Sequence, residues 1–488
     1  MITPVQTSNS SGTSAGGLFR TDDGRNLIIT FALVTSLFLL WGFCNGMIDI
    51  LNKHFQDSLH INKEQSGLVQ FANYLGYFLM AIPAGLIARR FGYKGGILLG
   101  LILIAGGAFW LIHAAGIGTY SSFLLGLFVI AAGMTCLETI ANPYTTVLGS
   151  ASGGATRINI AQTFNGVGWV LGPIIGGHFL FAGGGNANAG LSTPYLGIGI
   201  FAAVWTLVFV FARVPDLRAE EESKGSGELE ASIKPTGGQM IGIGIALAIV
   251  WGLLYFFIAP ILGLVWVLLA LPAGLLDPVK VGLLVAAYAG SFFVVTQHWD
   301  MFRRKHFTLG VVAQFLYVAA QTGIFSFCVN YVLENDASVT PARAATWLGA
   351  IGFVLFTAGR ACGSVVISLF KPHLVLAAYA VINVGLTAVA MKGGELGMVA
   401  LFGTFFFMSV MYPTIFALGI RGLGNHTKLG SSLIVMSIVG GAIAPPFMGH
   451  IADVHSMRIG FVVPLVCFVC IAVYGVMWRK LEARDSSN

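Results

Sequence analysis

Three ionisable side chains stand inside long apolar runs, where a bare charge is expensive: Asp49, Glu138 and Arg360. Glu138 lies about ten residues from the nearer polar boundary, hence ~15 Å deep by helical rise. A carboxylate at that depth suits reversible proton binding, because the proton removes the charge that the surroundings oppose. Retention by hydroxyls of neighbouring helices is the competing structural explanation. Asp49 stands near the end of its run, and its position alone suits an interfacial residue as well as a functional one. Arg360, in mid-run, reads as a fixed counter-charge to a carboxylate in preference to a direct substrate ligand.

Neutral polar side chains accompany these charges. Asn45 shares the first run with Asp49, and Thr135, Thr139 and Asn142 share the fourth with Glu138. Gln314, Gln321, Thr322, Ser326 and Asn330 lie on the seventh, Ser409 and Tyr412 on the tenth, and Gln70, Asn73, Gln162 and Asn165 on the second and fifth. Gln314 and Gln321 are two helical turns apart and share a face. Amides with nearby aromatic rings suit a neutral polyol, whose hydroxyls need donors and acceptors and whose C–H surface needs a flat partner. Any single amide serves equally well as glue between helices. Their concentration on runs one, four, seven and ten points to a shared cavity.

The elements that hold these residues are membrane helices. Of 488 residues 56% are hydrophobic and only 9% charged, with mean hydropathy +0.84. A soluble domain carries roughly a quarter charged residues, and apolar runs of about 20 cross a ~30 Å hydrocarbon core as helices. A porin-like barrel would instead alternate in short segments. Spans begin near Leu27, Gly67, Gly95, Tyr120, Ile158 and Thr193, and again near Phe307, Thr346, Leu374, Leu396, Gly430 and Gly460. The chain thus divides into a disordered cytoplasmic tail (1–26), a six-helix bundle (27–213), a charged linker (214–239), an apolar insertion (240–297) and a second six-helix bundle (306–480). The tail has no apolar core of a signal peptide.

The two sets of six repeat one another. Asn142-Pro143-Tyr144 reaches Leu148-Gly149 five residues after the proline, and Tyr412-Pro413-Thr414 reaches Leu418-Gly419 at the same distance. Pro173 precedes His178 by five, as Pro445 precedes His450. Parallel six-span repeats imply two bundles about an axis along the membrane normal. Arg89, Arg90, Lys94, Arg157, Lys371, Arg421 and Lys428 mark one set of loops, while the loops after Gly116 and over 183–188 are nearly uncharged. Both termini are therefore expected in the cytoplasm. Basic residues also follow the insertion (Arg303, Arg304, Lys305), so it must cross an even number of times. Two extra helices separated near Leu276 to Pro278 make fourteen.

The net charge of +6 is spread over short loops, with no patch of the kind nucleic acid requires. All six cysteines fall inside spans, and Cys467-x-x-Cys470 sits in an apolar stretch without further ligands, so neither a metal nor a cofactor is expected. The scattered histidines form no catalytic constellation, which argues against an enzyme.

Several segments together resemble the fucose–galactose–glucose–proton symporter family of the major facilitator superfamily. They are FLLWGFCNGMIDIL, QFANYLGYFLMAIPAGLIARRFGYKGG, CLETIANPYTTVLG, RINIAQTFNGVG, AQFLYVAAQTG, YPTIFALGI and TKLGSSLIVMSIVGG. The resemblance implies an all-α polytopic fold of two six-helix bundles, in the inner membrane of a bacterium. It implies proton-linked roles for Asp49 and Glu138 and positions near the sugar for Asn45, Gln162 and Tyr412. The amides Asn142, Asn165, Gln314 and Gln321 join these as candidate sugar contacts on the cavity reading. Gly85, Arg89, Arg90, Gly92 and Lys94 resemble the superfamily's signature gating loop, with Arg89 where an aspartate is usual. Gly46 stands where the fucose branch carries an asparagine, and the insertion replaces a plain central loop.

The reading is a monomeric symporter that imports a neutral monosaccharide with a proton by alternating access. Its alternatives are a carrier for an acidic or amino sugar, with Arg360 holding the acid, and sodium in place of the proton.

Overall fold

A computed structural model of the chain describes residues 18–20, 25–149, 154–182, 187–212, 214–215, 235–268 and 272–486. Most of the expected N-terminal tail and of the charged linker lies outside these residues. Among them, twelve helices are long and apolar enough to cross a membrane. Eleven belong to the paired spans: Ile28–Leu59, Arg90–Ile117, Tyr120–Thr145, Thr156–Phe181, Gly190–Phe211, Lys305–Asn335, Pro341–Ile367, Pro372–Ala390, Gly394–Ile420, Leu429–Val454 and Met457–Asp485. The twelfth, Ala273–Gln297, belongs to the insertion. Two further helices have the length to cross. One is the limb 68–91, which precedes a sharp turn at Gly92, and the other is Gly237–Leu268. Together they make fourteen.

Gly92 takes φ 71°, a backbone conformation that costs glycine nothing, and so separates span two from span three. The nearby Lys94 ammonium donates to the Val210 and Ala212 carbonyls at 2.8 and 2.9 Å. It thereby caps the C-terminal end of span six, where the helix leaves carbonyls without donors. Arg157 does the same for span four, with Nε on the Thr145 carbonyl at 3.0 Å and a second bond to the Leu18 carbonyl at 2.7 Å.

Some boundaries differ from the sequence-based ones. Span one continues to Leu59, ten residues past Asp49, so that carboxylate lies about 15 Å from the helix end and is buried by neighbouring helices. Span eight begins at Pro341, before its apolar run, because the Thr340 hydroxyl accepts from the Arg343 amide and proline suits the first turn. Span six begins earlier too, in the helix Ala187–Phe211. Leu276 to Pro278 opens the second inserted helix instead of separating the pair, for a proline in the first turn forfeits no helical bond. The inserted helices hold each other through Trp251 Nε1 on Ser291 Oγ at 2.9 Å and Tyr288 Oη on the Gly244 carbonyl at 3.3 Å. None of the apolar window of the second is buried by protein.

Spans one and five pack at backbone distance. A Cβ on Gly46 would meet the Trp169 carbonyl oxygen at 2.7 Å and Pro173 Cδ at 2.9 Å. Small residues at such crossings let membrane helices gain dispersion contact that lipid cannot supply. Gly46 therefore has no room for a longer side chain without moving span five.

Candidate functional site

The residues singled out on spans one and four converge between the bundles. Asp49, 4% exposed, accepts a hydrogen bond from Gln70 Nε2 at 3.0 Å through Oδ1, while Oδ2 is buried with no partner. Glu138 is partly exposed, with the hydroxyls of Tyr74, Tyr77 and Tyr412 in electrostatic reach. Among the described residues neither carboxylate has a cation within salt-bridge distance.

A hydrogen-bonded cluster adjoins them. Trp41 Nε1 donates to Tyr77 Oη at 2.7 Å, and Asn45 Nδ2 lies 3.4 Å from the same oxygen and 3.1 Å from the Trp41 carbonyl. Gln162 Nε2 donates to Asn142 Oδ1 at 3.0 Å, which leaves the Gln162 carbonyl to accept from another group. Asn165 is buried and turns its amide to the Phe38 carbonyl at 3.3 Å, in the seam between spans five and one.

The opposite wall comes from spans seven, eight and ten. Span ten is broken between Met408 and Met411. Pro413 has no N–H to offer the Ser409 carbonyl four residues earlier, and Arg360 Nε approaches that oxygen at 3.4 Å. The Met408 carbonyl accepts from Tyr317 Oη at 2.9 Å, and the Tyr317 ring meets Tyr412 at 6.2 Å. The Arg360 guanidinium is exposed and stands 4.8 Å over the Phe356 ring. A π-helical turn, Leu348–Phe353, precedes it and shifts the register of span eight. Among the described residues Arg360 thus meets a carbonyl and the Phe356 ring, with no carboxylate within salt-bridge distance. Gln321 is partly exposed, whereas Gln314 is wholly buried with neither amide atom partnered.

Trp41, Tyr74, Tyr77 and Tyr317 belong to the site but were not singled out from the sequence. Their signal was present: Gln70, Tyr74 and Tyr77 recur at helical spacing beside one another. Of the signature loop, Lys94 serves as the cap already described, Arg90 stands 5.5 Å over Phe91, and Gly85 faces open space. The Arg89 side chain lies outside the described residues.

The bundles meet at the end that carries Lys63. There Asp453 accepts from the Lys63 and Glu64 amides at 3.1 and 2.8 Å, and His450 Nδ1 lies 2.9 Å from Glu64 Oε2. Deeper contacts are Asn330 Nδ2 on Gln56 Oε1 at 2.5 Å and Thr322 Oγ1 on Tyr74 Oη at 2.9 Å. Trp169 of span five packs on Phe325 and Phe353 at 5.8 and 4.9 Å.

Comparison with known proteins places this geometry among transporters. The pattern of the Major Facilitator Superfamily matches residues 31–237. The L-fucose-proton symporter of Escherichia coli (strain K12) is 38% identical over 457 residues, covering 92% of this chain and 93% of that one. The glucose/galactose transporter of Brucella abortus biovar 1 is 28% identical over 492 residues, covering 98% and 100%. A crystal structure of the major facilitator transporter FucP in the outward conformation is 33% identical, covers 93% of this chain and 99% of its own, and superposes with a TM-score of 0.58.

Proposed function

Since this chain belongs to the fucose–galactose–glucose–proton symporter family of the major facilitator superfamily, we infer that it is a proton-coupled symporter importing a neutral monosaccharide by alternating access. The observation that supports proton coupling is the pair of carboxylates that, among the described residues, have no cation within salt-bridge distance. Asp49 keeps a buried oxygen unpartnered among those residues, and Glu138 has the Tyr74, Tyr77 and Tyr412 hydroxyls in electrostatic reach. A charged carboxylate so placed is costly in a water-poor interior, and a proton removes that cost. Protonation thereby lowers the barrier to rocking the bundles past the loaded site, and deprotonation on the other side resets it.

The sugar lies between the two walls. Asn45, Gln162 and Asn142 offer amide groups from one bundle, Gln321 and Tyr412 offer polar groups from the other, and the Tyr74, Tyr77 and Phe356 rings offer faces for C–H surface. Arg360 supplies a fixed positive charge on the opposite wall, which offsets the negative charge of the site whenever a carboxylate is bare. It also holds the broken span ten that carries Tyr412. The protein is a monomer in the bacterial inner membrane, with both termini in the cytoplasm and the Lys63 end outside. The arrangement described is then closed outward.

Uptake of a panel of neutral, acidic and amino sugars into proteoliposomes, with a proton gradient, a sodium gradient or neither, tests this reading. Accumulation of a neutral hexose driven by the proton gradient is expected. Accumulation driven by sodium alone would turn the assignment to a sodium symporter, and accumulation confined to uronic acids would turn it to the acidic-sugar carrier built on the exposed Arg360.

A further inference from the structure

Asp49 lies beneath the closed Lys63 end, and three helix faces run from it toward that surface. On span one Asn45, Asp49, Asn52 and Gln56 recur at intervals of four, three and four, hence on one face. Ser66, Gln70, Asn73 and Tyr77 do the same where the short helix Lys63–Ser66 leads through Gly67 into span two. Span seven adds Thr322, Ser326 and Asn330 at intervals of four. Four hydrogen bonds zip these faces together: Gln70 to Asp49, Gln56 to Ser66, Asn330 to Gln56 and Thr322 to Tyr74.

Between these bonds the seam holds polar atoms without a hydrogen-bond partner among the described residues. They are Asp49 Oδ2, both amide atoms of Asn52, Asn73 Oδ1, Ser326 Oγ and Asn330 Oδ1, all buried. Burying an unpaired amide is costly, and helix packing alone is better served by apolar side chains. A cluster of such atoms with several donors and acceptors in reach is the setting in which buried water is stable.

We propose that this seam is a relay of side chains and water that carries protons between the surface at Gln56 and Asp49, with Asn52 as its positioning residue. Gln56 is seven residues from Asp49, about 10 Å along the helix. Three or four hydrogen-bonded steps of ~2.8 Å cover that distance. Asparagine, glutamine and serine do not ionise, so they orient the relay without competing with Asp49 for the proton. The path leaves the sugar cavity at Asp49 and runs toward the Lys63 end, away from Asn45 and Tyr77. Asp49 can therefore be loaded while the bundles are closed at this end.

The inference rests on Asp49 as a proton carrier, which Asp49→Asn tests by itself. The relay is tested in proteoliposomes by two measurements: initial sugar uptake driven by a pH gradient, and counterflow of sugar at equal pH, which exchanges loaded carriers without net proton release. Asn52→Leu preserves size and removes polarity. Its driven uptake should fall about tenfold or more, short of the ~10²–10⁴ contributed by a directly acting acid or base because water can detour. Its counterflow should keep the unmodified rate, and Asn52→Ser, which leaves room for water, should restore driven uptake. Asn73→Leu supplies the same split should Asn52→Leu fail to insert. Driven uptake at the unmodified rate in Asn52→Leu, with Asp49→Asn inactive, would overturn the relay and leave the proton reading intact. Equal loss of uptake and counterflow in both Asn52 variants would also overturn it, as the mark of a packing residue. Normal accumulation by Asp49→Asn would instead remove the premise.

Discussion

The chemistry of this protein rests on side chains whose polar groups are left partly unmatched. Among the described residues Glu138 has tyrosine hydroxyls in reach and no cation within salt-bridge distance, the setting that the proposed cycling between two protonation states requires. Glu138→Gln fixes the neutral state. It should abolish accumulation of sugar against its gradient and retain counterflow, measured side by side in preloaded vesicles; accumulation at the unmodified rate would send the proton elsewhere. Gln162 and Tyr412 each keep capacity for a sugar hydroxyl, the first through its carbonyl and the second through a partly exposed phenol. Gln162→Ala and Tyr412→Phe should each weaken sugar binding by about 1–3 kcal/mol, the cost of leaving a buried hydroxyl unpaired. Calorimetric titration of the purified variants measures this, and unchanged affinity in both returns these residues to helix packing. The type and spacing of these residues were legible in the sequence. The seam position of Asn165 and the full burial of Gln314 were not, because an amide between helices and one that lines a cavity have the same sequence signature.

At the scale of the elements, departures from regular helix do the positioning. Pro413 breaks span ten where Pro143 leaves span four continuous, although the two sit at matching places in the repeat. The freed carbonyls of Met408 and Ser409 are taken by Tyr317 and Arg360, which fixes the wall beside Tyr412. At the closed end Asp453 caps the first turn of the short helix Lys63–Ser66 across the bundle interface. Removing a capping carboxylate costs about 1–2 kcal/mol, and here only the closed arrangement bears that cost. Asp453→Ala should therefore shift the equilibrium roughly 5–30-fold toward the arrangement open at the Lys63 end. Labelling of a cysteine placed at Asn45 by a membrane-impermeant reagent reads the shift; a lower labelling rate than in the parent would contradict it.

At the scale of the whole molecule, the proposed topology requires that both bundles share one orientation in the membrane. On that topology the inserted pair preserves it by crossing twice. Reporters fused at Glu222 and Arg304 should both be cytoplasmic, and one at Asp277 periplasmic. A periplasmic signal at Arg304 would invert the second bundle and with it the position of Arg360 relative to Glu138. Residue type, hydropathy and the repeat determined the class, the two paired sets of spans and the places of the ionisable residues within them, because the hydrocarbon core imposes length and apolarity on every crossing segment directly in the sequence. Tertiary structure decided the rest. Asp49 proved buried at the end of its apolar run because span two packs against it there, with Gln70 on its carboxylate. Arg360 met a carbonyl where a carboxylate was expected, because a proline on another helix had released that carbonyl. Such partners come from residues distant in the chain, and their pairing follows from helix packing, which sequence spacing within a single span does not encode.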